Sequence, residues 1–279
     1  MDTTIFVSNP YANLYIYYLK GIPGNAIIVP EEQGFIGNWE EEGYSFLFFS
    51  SPADDFVDKL VAGNSNLNFI DKYEMTCEEW HGDKIESYTT GNLCISPPWK
   101  IPFINKPWLK HILLDPGVVF GTGRHPTTED CLGYIEYLCQ KEAISTMLDI
   151  GTGTGLLALG AAAFGCKKIL ALDFNLLAVK TTLNNIRLNC FEDRILAIQA
   201  NAEDFISVPT DLVVANIHYD VMKDIITEKE FLEKRWFILS GLLKSETEKI
   251  ITELMGKPVE IIEQSSSDGV WNTIFGKSL

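Results

Sequence analysis

The chain has 279 residues, 46% hydrophobic and 22% charged, which describes a folded, water-soluble protein with room for one large domain or two modest ones. Its formal net charge of −16 excludes a nucleic-acid backbone as the expected partner, because phosphate binding needs a basic face. The same charge favours a basic protein partner, with simple solubility as the competing explanation.

At the amino terminus, Met1-Asp2-Thr3-Thr4 has no basic stretch leading into an apolar run, and no segment approaches the ~20 apolar residues of a membrane span. A cytoplasmic protein without a membrane partner is expected. The alternating aromatic and apolar runs Leu14–Leu19 and Phe46–Phe49 predict strands of a small α+β domain. Ser51-Pro52-Ala53-Asp54-Asp55 predicts a helix start, with proline in the first turn and acids at the positive end of the dipole, and the helix runs through Val61. A boundary is expected near residue 70, giving a recognition domain over 1–70. A connector over 71–112 carries Trp80, Trp99, Trp108, Pro97, Pro98 and Pro102, and a main domain spans 113–279. The six cysteines are scattered without a Cys-x-x-Cys pair, and no histidine cluster has ligand spacing, so reduced, mostly buried thiols and no metal are expected.

From about Ser145 the pattern alternates short apolar strands with helices, as in a doubly wound sheet. Strands are predicted over Thr146–Ile150, Lys168–Asp173, Ile195–Gln199, Asp211–Ile217, Trp236–Ser240, Pro258–Gln264 and Val270–Phe275. Helices are predicted over Gly155–Phe164, Asn175–Cys190, Tyr219–Thr227 and Lys244–Met255. Seven strands with an antiparallel end complete an α/β, Rossmann-like sheet.

The first of these strands ends in Asp149-x-Gly151-x-Gly153-x-Gly155. Glycine lets a ligand lie against the backbone and lets the chain take positive φ, and the following helix points free N–H groups at that ligand. A dinucleotide fingerprint wants G-x-G-x-x-G, whereas the third glycine here comes one residue early, which fits S-adenosyl-L-methionine enzymes better. The second strand ends at Asp173, where an acid can accept both ribose hydroxyls. A glycine-rich turn with a capping aspartate is the competing reading. Upstream, Asp115-Pro116-Gly117-Val118-Val119-Phe120-Gly121-Thr122-Gly123-Arg124-His125-Pro126-Thr127-Thr128 is a second donor-rich loop before a helix over Glu129–Gln140. Standing alone, it reads either as a ligand loop or as a linker in which Thr127 or Thr128 caps the helix.

With both loops quoted, the chain resembles the PrmA family, protein lysine methyltransferases of large-subunit ribosomal protein eleven, whose D-P-G-x-x-F-G-T-G-x-H-x-T-T loop is matched by Asp115–Thr128. The resemblance continues through Asp149–Gly155, Asp173, Val213-Val214-Ala215-Asn216-Ile217 and Leu239-Ser240-Gly241-Leu242-Leu243, covering about residues 95–279. It implies a class I S-adenosylmethionine methyltransferase fold with a seven-stranded sheet and a smaller amino-terminal α+β domain. It also implies methyl transfer to amino nitrogens of a basic, ribosomal-type protein. Cofactor contacts carried over by the resemblance fall on Thr128, Gly121, Thr122, Gly151, Gly153, Asp173 and Asn216, with Asn201 or Glu203 at the adenine ring; an acidic surface turn is the other reading of those last two. Asn216 and His125 are the implied catalytic residues, although a loop histidine also serves to hold its neighbours by hydrogen bonds.

Two departures stand out. Asn216-Ile217-His218-Tyr219 lacks the prolines of adenine-amino and glutamine methyltransferases, which favours a ribosomal protein over a nucleic acid, and His218 replaces a commonly apolar residue, either tuning the acceptor pocket or lying on a helix surface. The stretch Gly21 to Gln33 is too short and proline-broken for the family's first helix, which leaves two readings of the substrate, the ribosomal protein or a different protein. The expected reaction is in-line attack of a neutral amine on a sulfonium methyl. A small-molecule N- or O-methyltransferase and a cofactor-binding interaction protein without turnover are the alternatives.

Overall fold

The computed structural model describes residues 9–24, 34–103 and 106–279 and divides the chain into two compact units. One comprises Met1–Ile85 with Gly117–Phe120, the other Glu86–Pro116 with Gly121–Leu279.

In the smaller unit, strands β1 (Asn13–Lys20), β2 (Phe35–Glu41), β3 (Tyr44–Phe49) and β4 (Asn68–Thr76) form an antiparallel sheet in the order β2-β3-β1-β4. The aromatic alternation read from the sequence places Tyr17, Leu19, Leu47 and Phe49 on one face, against Val57 of helix α1 (Asp54–Ala62). That helix starts two residues later than the proline implied. Ala53 is the N-cap, and its N–H donates to the buried Tyr17 hydroxyl at 2.7 Å, so a tertiary contact sets the first turn and Pro52 lies outside it. The break expected near residue 70 falls inside β4, whose pairing with β1 runs on to Thr76. Thr76 then caps the short helix α2 (Cys77–His81) in a reciprocal box with Glu79. This helix grips Gly117–Phe120: the Trp80 indole donates to the Val118 carbonyl and the His81 ring meets the Gly117 carbonyl, both at 3.0 Å. Most of the Gly21–Gln33 stretch, residues 25–33, lies outside the described residues.

The larger unit opens with a three-stranded sheet of β5 (Tyr88–Thr90), β6 (Leu93–Ser96) and β7 (Lys110–Leu113), formed within the stretch read as a connector. Helix α3 (Pro126–Lys141) follows. The main sheet comprises β8 (Thr146–Ile150), β9 (Lys168–Asp173), β10 (Ile195–Gln199), β11 (Leu212–Asn216), β12 (Trp236–Leu243), β13 (Val259–Ser267) and β14 (Trp271–Ser278). Their order is β10-β9-β8-β11-β12-β14-β13; the first five are parallel, and β14 lies antiparallel between β12 and β13. The seven-stranded sheet expected from the sequence is therefore present.

Both faces of this sheet are covered, which explains the continuously apolar strands. Met147, Leu212 and Val214 point into a core shared with α3, α4 (Leu156–Phe164) and α5 (Leu176–Leu188), whereas Leu148, Val213 and Ala215 point to α6 (Tyr219–Thr227) and α7 (Lys244–Leu254). Each of the larger side chains among these, fully buried, contributes about 1.5–3 kcal/mol.

Candidate cofactor and acceptor site

The ends of β8, β9 and β11 lie side by side, with β8 between the other two. β8 leads into Gly151–Gly155, and the glycines there adopt left-handed backbone with φ of 69°, 56° and 85° at 151, 153 and 155. At residue 151 sterics demand glycine as well: an added Cβ would lie 2.2 Å from Ile217 Cγ2. Thr152 N–H donates to the Leu172 carbonyl at 2.9 Å, locking the turn to the end of β9.

Asp173, 7% exposed, ends β9 with both oxygens engaged by the main chain: Oδ2 accepts from Gly153 N–H at 3.0 Å and Oδ1 from Asn175 N–H at 2.9 Å. Burial raises its pKa against the pull of those amides. Behind the glycine loop, Asp149 is 1% exposed. Its Oδ2 accepts from the Thr152 hydroxyl at 2.6 Å, while Oδ1 has no hydrogen-bond partner among the described residues. Burial pushes this carboxyl up to about 7.

The second loop meets the first through side chains that the sequence reading passed over. Thr154 Oγ1 donates to the Gly121 carbonyl at 2.7 Å. On α5, Asn185 accepts from Asp115 N–H at 2.8 Å and donates to the carbonyls of Asp115 and Thr154 at 2.8 and 2.9 Å. One turn on, Asn189 pairs with Leu113 through both amide atoms at 2.9 and 2.7 Å. Two asparagines four apart on a helix that also carries apolar residues were the available signal, since buried amides require partners.

The loop ends in α3, and neither threonine is its cap. His125 is the N-cap without a side-chain cap bond, Pro126 is the first helical residue, and Thr127 and Thr128 lie buried in the first turn. The Thr127 hydroxyl lies 2.7 Å from His125 Nδ1 and accepts from Asn216 Nδ2 at 3.3 Å. Asn216 ends β11 beside Ser240 of β12, and Gly241 makes room for it, since a Cβ there would lie 2.9 Å from Asn216 Oδ1. The His125 ring meets Trp271 edge-on at 5.1 Å. Burial lowers the His125 pKa, which outweighs the opposite pull of Asp268, so the imidazole is neutral at physiological pH.

The structure thus brings Gly121, Thr128, Gly151, Gly153 and Asp173 to one edge of the sheet, with His125 and Asn216 joined through Thr127. Thr122 is half-buried on the same loop, where its carbonyl accepts from Tyr88 OH at 3.0 Å. Asn201 and Glu203 are exposed in the turn after β10 and make no hydrogen bond among the described residues. His218 is the exposed N-cap of α6, as the surface reading expected. Among the described residues no group of acids, cysteines and histidines has the geometry to hold a metal, and no helix is long and apolar enough to cross a membrane.

The profile of the family described as ribosomal protein L11 methyltransferase (PrmA) matches residues 56–278. Ribosomal protein L11 methyltransferase of Alkaliphilus oremlandii is 31% identical, the alignment covering 94% of this chain and 92% of that protein. The protein of the same name from Bacillus cereus is 33% identical over 81% of this chain and 78% of its own length. The crystal structure of ribosomal protein L11 methylase from Lactobacillus delbrueckii subsp. bulgaricus superposes with a TM-score of 0.62 at 25% identity, covering 69% of this chain and 98% of that one.

Proposed function

The chain belongs to the PrmA family and is an S-adenosyl-L-methionine-dependent protein methyltransferase; from that premise we propose that it methylates lysine amino groups of ribosomal protein L11, using the constellation at the ends of β8, β9 and β11. The observation that carries the reading is the meeting of three parts: the glycine turn, the buried Asp173, and the Thr127-linked pair of His125 and Asn216. Family membership places the chain with protein methyltransferases and against the small-molecule and non-enzymatic alternatives.

S-adenosyl-L-methionine supplies a methyl group on a sulfonium, already activated for displacement. The chain's residues have to hold it, exclude water and present a neutral amine in line. Gly151 and Gly153 offer backbone without side chains, and Asp173, fixed by two main-chain N–H groups, accepts ribose hydroxyls with its remaining lone pairs. Thr128, Gly121 and Thr122 serve the methionine end, and Glu203 or Asn201 the adenine edge. Asn216 spends its amide N–H on Thr127, which leaves Oδ1 to accept from an amine and align its lone pair. His125, neutral and seated on Thr127, accepts the proton that the ammonium must lose before attack.

The partner's chemistry follows from charge. Residues 1–85 contain 14 acidic and 4 basic residues, so −10 of the −16 resides in about a third of the chain. This supports a basic protein rather than nucleic acid as the docking partner, and a ribosomal-protein substrate supports a cytoplasmic location. The test is methyl transfer from radiolabelled cofactor to separated large-subunit ribosomal proteins. L11 should carry the label, and Gly151→Arg should abolish both labelling and cofactor binding. Label on any other protein, or none, would refute the substrate; intact cofactor binding by Gly151→Arg would refute the site.

A further inference from the structure

Outside the loops assigned above, a hydrogen-bonded chain of polar side chains runs between α3, β12 and the tip of the β13–β14 hairpin. Asp130, in the second turn of α3, accepts at Oδ2 from Thr273 Oγ1 at 3.1 Å and from Ser267 Oγ at 3.4 Å. Thr273 Oγ1 lies 2.6 Å from Ser240 Oγ, and both residues are fully buried. Ser240 is the residue paired with Asn216, and its carbonyl accepts from Ile217 N–H at 3.2 Å. One turn along α3, Tyr134 OH lies 2.5 Å from Ser265 Oγ.

The hairpin tip that these bonds hold consists of Ser267, Asp268, Gly269, Val270 and Trp271, with left-handed φ at Asp268 and Gly269. Asp268, Gly269 and Val270 are exposed, so the turn has little packing of its own, yet Trp271 beside them rests on His125. A fixed indole at the end of an exposed turn needs anchors: Trp271 pairs with Leu243 of β12, Asn272 Nδ2 donates to the carbonyls of Leu242 and Val270, and Asp130 is the charged anchor, on the α3 side. Burial and the nearby Glu263 raise the Asp130 pKa, so the carboxylate sits there at some loss of solvation rather than as a gain in stability.

We propose that Asp130 is a positioning residue of the acceptor site: by holding Ser267 and Thr273 it fixes the hairpin tip, and with it Trp271, against the His125 end of α3. This rests on the reading that His125 and Asn216 face the acceptor. Because Asp130 reaches Trp271 through Ser267 and the Asn216 register through Thr273 and Ser240, its loss disturbs the two sides of the acceptor site together. The glycine turn, joined to β9 and α5 by other bonds, is left as it was.

The experiment compares Asp130→Ala with Asp130→Asn, whose amide oxygen can still accept from Thr273. Hydrogen exchange across residues 265–271 and the emission of Trp271, isolated by difference against Trp271→Phe, are read without acceptor. Cofactor Kd is measured by calorimetry, and KM and kcat with the ribosomal protein. Asp130→Ala should speed exchange at the tip at least tenfold, shift Trp271 emission to the red, raise acceptor KM about tenfold and leave cofactor Kd within twofold. Asp130→Asn should recover most of each change. Unchanged exchange and acceptor kinetics in Asp130→Ala, or an equal loss of cofactor affinity, would overturn the assignment. Should Asp130→Ala not fold, Ser267→Ala with Thr273→Val decides by the same readouts. A wild-type enzyme that labels no ribosomal protein would defeat the substrate reading, and the acceptor-free measurements would still decide whether Asp130 holds Trp271.

Discussion

Replacing Asp149 by asparagine should make the protein's stability less sensitive to pH across the acidic to neutral range. The carboxyl is 1% exposed, and burial lifts it from 3.8 to about 7. Between those values the native state keeps a proton that the unfolded chain has released, so this group's contribution favours folding at low pH and is withdrawn as pH climbs through 7. The full span corresponds to about 4 kcal/mol, of which about 2.5 kcal/mol falls between pH 5 and pH 8. Asparagine carries no such dependence and can still accept from Thr152. Its buried N–H₂ takes the place of the partnerless Oδ1 at a cost of about 1–3 kcal/mol that does not vary with pH and cancels in the comparison. Urea unfolding of both proteins at pH 5 and pH 8, followed by tryptophan emission and circular dichroism, should show Asp149→Asn gaining on the wild type by about 2.5 kcal/mol at the higher pH. A difference between the two proteins that stays constant within about 0.5 kcal/mol would show that Asp149 is solvated or partnered in the native state, and the reasoning from burial would fail.

Gly151→Ala should weaken cofactor binding by at least tenfold in a calorimetric titration, because its Cβ meets Ile217, and Ile217→Ala in the same chain should restore only part of the loss, since φ of 69° still disfavours alanine. Asn185→Ala strands the Asp115 N–H and two carbonyls, so the midpoint of chemical unfolding should fall by the equivalent of about 2–4 kcal/mol and amide exchange at Asp115 should accelerate; protection at Asp115 equal to wild type would contradict this. The lowered pKa of His125 places the acidic limb of the kcat/KM profile below the ordinary histidine value of 6.5, with activity rising as the ring loses its proton, and His125→Gln should remove that limb; an unchanged limb would assign it to another group.

The larger unit was legible because its strands are buried on both faces and its helices alternate with them, so apolar runs mark both. Predicted and observed elements there differ by three residues or fewer at most ends, and β12 continues past Ser240 to Leu243. The smaller unit was read less well for a physical reason: β4 has no buried residue, so no hydrophobic period announces a strand that its backbone bonds to β1 nevertheless define. At the site, glycines and acids with special backbone roles could be found by spacing. What spacing could not reveal is how the loops are joined. Asn185, Asn189, Thr154 and Thr127 are ordinary in sequence, and their importance comes from partners up to 89 residues away. Asp130 was hidden in the same way, reading as one more charge in an amphipathic helix.

The place of β14 in the sheet bears on how the protein is made. Translation delivers β13 before β14, yet β13 borders only β14, so it joins the sheet only when β14 settles beside β12. Until then the flank of β12 is an open edge with a row of unmet backbone donors and acceptors, the kind of surface on which nascent chains misassociate. Trp271 opens that same late strand, so the indole facing His125 arrives with the piece that closes the sheet. A chain still emerging from the ribosome therefore has the residues of its glycine turn well before it has the indole on which the proposed acceptor site relies.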